Sequence, residues 1–369
     1  MGMTAIGSYP DRSHLSLAVE AFRIALDDAG LAKKDIDGLS VLSFGADYDR
    51  FLEAVGVETR FTHQGWTHGR FIAPLVQHAA LVVNAGMANY IAIVHGRKRG
   101  GFGRPVDMEM WRQGLGPHGE SPAYGATLPA YGAAIAAQRY FHLYGGGNEN
   151  LAPIAVALRK HAGLNPGAMR RDPLTIEDHQ KSRWIMEPLR LLDCSQNNEG
   201  GACIIVTTAE RARDLKNPPV YIMGMQGVHA GRQYHNMAQP GLGVAQQDVF
   251  TYHPDDLLSY QMAGITHKDV DALTTYDAFS PFVLFTLERN GFCGPGEAMD
   301  FVKNGRIELG GELPINTSGG LLSEGHVAGW NLFAEIVRQL RHQGGERQVK
   351  DAEIIQYASM LGESIIFRR

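Results

Sequence analysis

One short stretch of this chain occurs twice. Ala29-Gly30-Leu31-Ala32-Lys33-Lys34-Asp35-Ile36-Asp37-Gly38-Leu39 returns as Ala263-Gly264-Ile265-Thr266-His267-Lys268-Asp269-Val270-Asp271-Ala272-Leu273. Each copy follows a segment of helical apolar spacing and precedes a short apolar run. Each therefore reads as a helix-to-strand corner with glycine just past the helix end. A shared type of turn would produce the same match. The chain also changes character near residue 215, where Asn217-Pro218-Pro219 precedes a new strand at Val220. The two observations favour a duplicated architecture with halves at 1–214 and 215–369. A chain of 369 residues allows two domains or one large duplicated unit.

Between the corners, helical and buried-strand patterns alternate. Helices are predicted over 15–29, 131–144, 151–164, 176–182, 255–263, 281–290 and 327–342. Strands are predicted within 35–44, 90–94, 200–207, 271–275, 315–320 and twice in 353–369. This is an α/β pattern with helices packed on sheet faces. Residues 48–67 read as irregular. A long loop region falls within 100–200, and its first part, 100–130, is rich in Gly, Pro and aromatics. Such loops are usually functional or partner-facing.

Residues 71–94 contain no Asp, Glu, Lys or Arg. That is long enough to raise a membrane span. Pro74, Gln77, His78, Asn84, Gly86 and Asn89 argue for a buried helix, a turn at Asn84-Ala85-Gly86 and a buried strand instead, with no membrane span. That strand needs cover on both faces, which predicts a homodimer burying the 80–94 region.

A formal net charge of −5 gives no support to a nucleic-acid or anionic-membrane partner. Three cysteines, with no CxxC pair, fit a reducing cytoplasm better than a disulfide framework. No metal site is expected, since neither CxxC nor HExxH occurs. The first sixteen residues lack the apolar run of a signal peptide. No P-loop and no G-x-S-x-G elbow occur. The G-x-G-x-x-G at Gly114-Leu115-Gly116-Pro117-His118-Gly119 has no strand before it and no helix after it. Most histidines, among them His63, His142, His161 and His229, are expected at the surface or in loops.

Two segments stand out. In Thr275-Tyr276-Asp277-Ala278-Phe279-Ser280-Pro281 a strand ends and a helix begins, the kind of junction where α/β folds place their chemistry. Tyr276 can point into a site, and Asp277 can cap the helix or orient a neighbour; a plain helix cap with a packed tyrosine is the alternative. In Asn316-Thr317-Ser318-Gly319-Gly320 a strand meets a glycine pair, and Gly325-His326 follows at the entrance of a helix. The glycines allow a sharp turn and close approach to a ligand. His326 fits a general acid or base, or a structural turn residue.

At these segments the chain resembles the thiolase superfamily, in particular the lipid-transfer-protein type related to sterol carrier protein x. The likeness extends through Asp35-Ile36-Asp37-Gly38, Arg159-Lys160-His161-Ala162, Asn165-Pro166, Pro188-Leu189-Arg190-Leu191-Leu192-Asp193-Cys194, Glu199-Gly200-Gly201-Ala202, Tyr276-Asp277-Ala278-Phe279 and the stretch from Gly319 to His326. It implies two similar α/β halves stacked in five αβαβα layers, a homodimer and an acyl-CoA substrate. Coenzyme A would enter as part of the substrate, with no bound cofactor. It also implies a separate OB-fold and zinc-ribbon subunit that helps hold the acyl-CoA, because this chain lacks that module.

The departures narrow the chemistry. Where family thiolases carry the nucleophilic cysteine, this chain has Gly69, within Trp66-Thr67-His68-Gly69-Arg70-Phe71. The second family cysteine is missing from Gln356-Tyr357-Ala358-Ser359-Met360-Leu361-Gly362. Without a thiolate, transfer through an acyl-cysteine is unavailable, and no cysteine is expected at the coenzyme A pocket. Tyr276 resembles the pattern of thiolase-like aldolases that cleave steroid side chains, although the Gly-His position keeps His326. The resemblance therefore implies retro-aldol cleavage of a β-hydroxyacyl-CoA by Tyr276 and His326. Gly69, Asp277, Asn316, Gly319 and Gly320 would shape the thioester site. On ordinary pKa values His326 is the better base and Tyr276 the better donor, unless a buried cation reverses them. An acyl-CoA-binding subunit without aldolase activity, or an acyltransferase using Ser318 or Ser323, is the alternative.

Overall fold

A computed structural model describes residues 1–42, 48–65, 72–98, 129–228 and 257–369. In chain order the strands are β1 (Gly2–Met3), β2 (Gly38–Leu42), β3 (Phe61–Gly65), β4 (Ile91–Arg97), β5 (Trp184–Met186), β6 (Leu189–Arg190), β7 (Gly200–Val206), β8 (Tyr221–Gln226), β9 (Ala272–Thr275), β10 (Ile354–Ala358) and β11 (Ser364–Arg368). The first sheet runs β1-β7-β4-β2-β3 and the second β8-β11-β10-β9, while β5 and β6 form a small ribbon.

The two sheets share one plan. Across the first, the pairings are antiparallel, antiparallel, parallel, parallel. Across the second, β8–β11 and β11–β10 are antiparallel and β10–β9 is parallel. A parallel bridge from Leu273 to Ile315 stands in the fifth place. The strand expected over 315–320 shrinks to this bridge, because Asn316 and Gly319 take left-handed φ values of 50° and 101°.

The repeated corners occupy matching places, one leading into β2 and the other into β9. Gly30 and Gly264 end their helices at φ 73° and 67°. Asp35 and Asp269 each accept from a backbone amide three residues earlier, both at 2.8 Å. Asp37 then accepts from the amides of Asn89 and Tyr90, just ahead of β4. Asp271 does the same for Glu353 and Ile354, at the start of β10. The repeated aspartates thus tie each corner to the neighbouring parallel strand.

The layers follow from which helix covers which face. Helix His14–Ala29 lies so close on the first sheet that a Cβ on Gly2 would stand 2.2 Å from the Ala21 carbonyl oxygen. Helix Leu258–Ala263 lies equally close on the second, where a Cβ on Gly224 would stand 2.1 Å from the Ser259 oxygen. Between the sheets lie Ile72–Asn84 and Trp330–Leu340. Gln77 on the former donates to Gln226 O in the second sheet. On the latter, Trp330 stacks on His95 of β4 and Phe333 packs on Tyr357 of β10. Helix, sheet, helices, sheet, helix is the five-layer αβαβα order.

Two local expectations change. Residues 48–65 are not irregular: they form helix Tyr48–Val55 and strand β3. Phe51 alone buries that helix, and β3 is a polar edge strand, so neither carries a strong apolar period. Strand β4, which contains the charge-free run 91–94, is central, between β7 and β2, and fully buried within this chain. It therefore gives no reason of its own for dimer cover. We propose the division between halves near residue 215, in the link between β7 and β8. Among the described residues no helix is long and apolar enough to cross a membrane.

Candidate active site

Tyr276 emerges at the C-terminal end of the buried strand β9. The Asn316 side chain stands in for a neighbouring strand there. Its Oδ1 accepts from Thr275 N at 2.8 Å and its Nδ2 donates to Thr275 O at 2.9 Å. This fixes the peptide just ahead of Tyr276. Asp277 turns the other way. Its carboxylate accepts from the amides of Leu321 and Leu322 at 2.9 and 3.1 Å. It thereby satisfies the free amides that open the short helix Gly320–Ser323. Asp277 thus orients a neighbour and does not cap helix Pro281–Arg289. Burial raises its carboxyl to about 7 against the pull of those amides.

Gly320 has φ 59°, and a Cβ there would meet Asp277 Oδ2 at 2.3 Å. Gly319 has φ 101°, and its Cβ would meet Ala162 Cβ at 2.6 Å. Only glycine fits either place. Asn316, Asp277, Gly319 and Gly320 are thus brought together, with their polar atoms engaged inside the fold. They set the turn that carries His326.

His326 follows on that turn. Its Nε2 lies 3.0 Å from the Tyr276 hydroxyl, and its Nδ1 lies 3.1 Å from Ser195 Oγ. Its backbone amide donates to Asn198 Oδ1 at 3.0 Å. The Ser195 segment is itself pinned beside Tyr276: Ser195 N donates to Ala278 O, and Ser280 N to Asp193 O. Asp193 in turn pairs with buried His179 at 2.8 Å. Three distant parts of the chain therefore meet in one row, Ser195, His326, Tyr276. Burial first, then the nearby Arg97 cation, hold His326 well below its usual value, so the imidazole is neutral at neutral pH. A neutral imidazole has one donor and one acceptor nitrogen. It can therefore donate to one hydroxyl while accepting from the other.

Arg97 is the buried cation the sequence reading left open. It ends β4, and its Nη2 donates to Asn197 Oδ1 at 2.8 Å. The signal was present in the alternation of that strand. Ala92 and Val94 face helix His14–Ala29, while Ile91 and Ile93 face the inner core. Side chains of a strand alternate, so His95 and Arg97 also point inward. Ser195 was missed for a plainer reason: only folding brings it to His326.

A cavity of about 370 Å3 opens at the Ser195 end of this row, bordered by Met169, Arg170, Cys194, Ser195, Asn197 and Asn198. Cys194 borders this cavity. Burial, aided by Asp193, pushes its thiol up to about 12. Burial pushes Cys203 up to about 12 as well, and raises Cys293 further with help from Glu288. None supplies a thiolate at neutral pH. Ser318 donates to Glu324 at 2.6 Å and Ser323 accepts from Arg159 at 3.0 Å, so both serines weighed as nucleophiles are engaged in buried contacts. His161 is not a surface residue: it is buried, accepting from Leu309 N at 2.9 Å. Gly69, His229 and the Gly114–Gly119 motif lie outside the described residues. Among the described residues no cluster of His, Cys, Asp or Glu is arranged to hold a metal ion.

Residues 258–363 match the family model described as thiolase C-terminal domain-like. The chain is 39% identical to the 17-hydroxy-3-oxo-4-pregnene-20-carboxyl-CoA lyase of Mycobacterium tuberculosis, over 92% of this chain and 90% of that one. It is 38% identical to the steroid side-chain-cleaving aldolase of Thermomonospora curvata, over 92% of this chain and 89% of that one. The solved structure of an Ltp2-ChsH2(DUF35) aldolase superposes with a TM-score of 0.85 at 34% identity, covering 100% of this chain and 96% of that one. With two duplicated sheets, five layers and relatives this similar along nearly its whole length, the chain belongs to the thiolase superfamily, among its sterol-carrier-protein-type members.

Proposed function

We propose that this chain is an aldolase-type lyase that cleaves a β-hydroxyacyl-CoA between Cα and Cβ. The observation that carries the reading is the Tyr276–His326 pair, 3.0 Å apart, with burial holding every cysteine among the described residues as a thiol. The pair suits proton transfer and leaves no thiolate for acyl transfer. In the reaction, a base takes the β-hydroxyl proton and the C–O bond becomes a carbonyl. The Cα–Cβ electron pair moves into the thioester as an enolate, which donors aimed at its oxygen stabilise. A proton returned to Cα completes a ketone and a shorter acyl-CoA. Atoms and charge balance without an oxidant or reductant, so coenzyme A within the substrate is the only cofactor the reading requires.

Asp277, Asn316, Gly319 and Gly320 act in this reading by holding the two reacting side chains. The names of the similar lyase and aldolase support a steroid side chain as the acyl group. The DUF35 component of the similar aldolase structure supports a separate OB-fold and zinc-ribbon subunit for this chain, alongside a homodimer. Three free cysteines support a cytoplasmic setting.

The test is a cleavage assay on 17-hydroxy-3-oxo-4-pregnene-20-carboxyl-CoA, with a DUF35-type subunit supplied and omitted. Thiolysis of a β-ketoacyl-CoA by free coenzyme A is the control. Release of a ketone and a shorter acyl-CoA without added coenzyme A supports the aldolase. Turnover only in the thiolysis arm overturns it, and binding without turnover in either arm leaves the acyl-CoA-binding subunit.

A further inference from the structure

We propose that Arg97 is a positioning residue of this reaction, the buried cation that makes Tyr276, not His326, carry negative charge and take the hydroxyl proton. The chemistry rests on the aldolase reading; the ionisation does not. Strand alternation turns Arg97 inward from β4, onto the same inner face as His95, which stacks on Trp330 of the helix following His326. The guanidinium is buried and tied to Asn197 at 2.8 Å. Asn197 lies in the segment whose Ser195 and Asn198 hold the His326 ring and backbone. One short segment therefore fixes both the cation and the imidazole.

A fixed cation disfavours a second positive charge nearby and favours a negative one. Both effects act here. Arg97 opposes protonation of His326, and Tyr276 stabilises the Arg97 cation, an attraction that is reciprocal. Burial brings Arg97 down only to about 10, so it stays charged at neutral pH. Among the described residues, Asp277 beside it in the chain and Tyr357 from β10, with Glu363 facing Tyr357, are further titratable neighbours of Tyr276. The proton taken from the substrate hydroxyl thus passes to the Tyr276 oxygen. Neutral His326 keeps that oxygen in place through its Nε2, and the phenol so formed can return a proton to Cα.

Tyrosinate absorbance of the intact chain, titrated against pH, tests this without substrate. Subtracting the Tyr276→Phe titration isolates one phenol. In wild type its midpoint should lie below the ordinary tyrosine value. Arg97→Met should raise it by roughly one unit or more, the scale for losing one close opposite charge. Arg97→Lys should keep it near the wild-type position. The alkaline requirement in the cleavage rate should move with the same midpoint. A Tyr276 midpoint at or above the ordinary value in wild type, or one unmoved in Arg97→Met, overturns the proposal. Should Arg97→Met fail to fold, Asn197→Ala removes the one side-chain acceptor described for the guanidinium, and an unmoved midpoint there overturns it equally. A moved midpoint in a chain that cleaves no β-hydroxyacyl-CoA overturns the aldolase reading alone.

Discussion

The Tyr276 hydroxyl lies 3.0 Å from Nε2 of His326, with the two rings edge to face at 75°. Tyr276→Phe removes that hydroxyl and keeps the ring in its buried place. We expect cleavage to fall by roughly a hundredfold or more in kcat, the scale for losing one donor or proton carrier at the reacting atoms. KM should change little, because the lost contact acts in the transition state. His326→Ala should fall comparably, and the double variant should lose little more than either single one. Steady-state kinetics on the four proteins check this. Equal rates in all four would return the chain to a binding role.

Gly320→Ala tests the brace beneath the pair. The new methyl would stand 2.3 Å from the Asp277 carboxylate at φ 59°. Either the carboxylate leaves the amides of Leu321 and Leu322, or the turn toward His326 shifts. Strain of this kind costs about 1–3 kcal/mol. A urea titration should show that loss of stability, together with a drop in kcat larger than the change in KM. A variant as stable and active as wild type would mean the brace does not set the site.

Much of the fold was legible because its signals are local. The Asp35-Ile36-Asp37 and Asp269-Val270-Asp271 corners repeat in sequence because each aspartate binds amides at a fixed offset or at the next strand. Tyr276 and His326 were legible as a strand end and a glycine-flanked turn. The brace was legible as residue types and opaque as roles. Nothing in Asp277 says that its partners are Leu321 and Leu322, 44 and 45 residues on. Ser195 and Arg97 were passed over because their worth comes from neighbours supplied by other elements. Helix Tyr48–Val55 and edge strand β3 bury too little to leave an apolar period.

Acid should weaken the fold through His95. It is buried against Trp330, and neither ring nitrogen has a hydrogen-bond partner among the described residues. Burial, with the Arg97 cation, lowers it from 6.5 to about 3. The folded form therefore binds this proton less readily than the unfolded chain. Its share of stability is full above about pH 6.5 and declines as pH falls toward about 3. His95→Phe removes the titrating group and keeps an aromatic ring on Trp330. Melting temperatures between pH 7 and pH 4 should fall less steeply for His95→Phe than for wild type. Parallel curves would show that His95 is protonated as easily in the folded protein as outside it.

Ser195 separates the aldolase from an acyltransferase. Its Oγ lies 3.1 Å from Nδ1 of His326 and borders the cavity, so it has the contacts of a serine nucleophile as well as those of a ring anchor. As an anchor, it donates its hydroxyl proton to Nδ1 and leaves the Nε2 proton to face the Tyr276 oxygen. Removing it costs one hydrogen bond, about 1 kcal/mol, and a several-fold fall in kcat. As a nucleophile it would form an acyl ester, and its loss would remove turnover almost entirely. Ser195→Ala should therefore keep most of its cleavage activity. Intact mass of the wild type after brief exposure to substrate should show no added acyl group. Abolished turnover in Ser195→Ala, with an acyl adduct on the wild-type protein, would replace the aldolase by acyl transfer through Ser195 and His326.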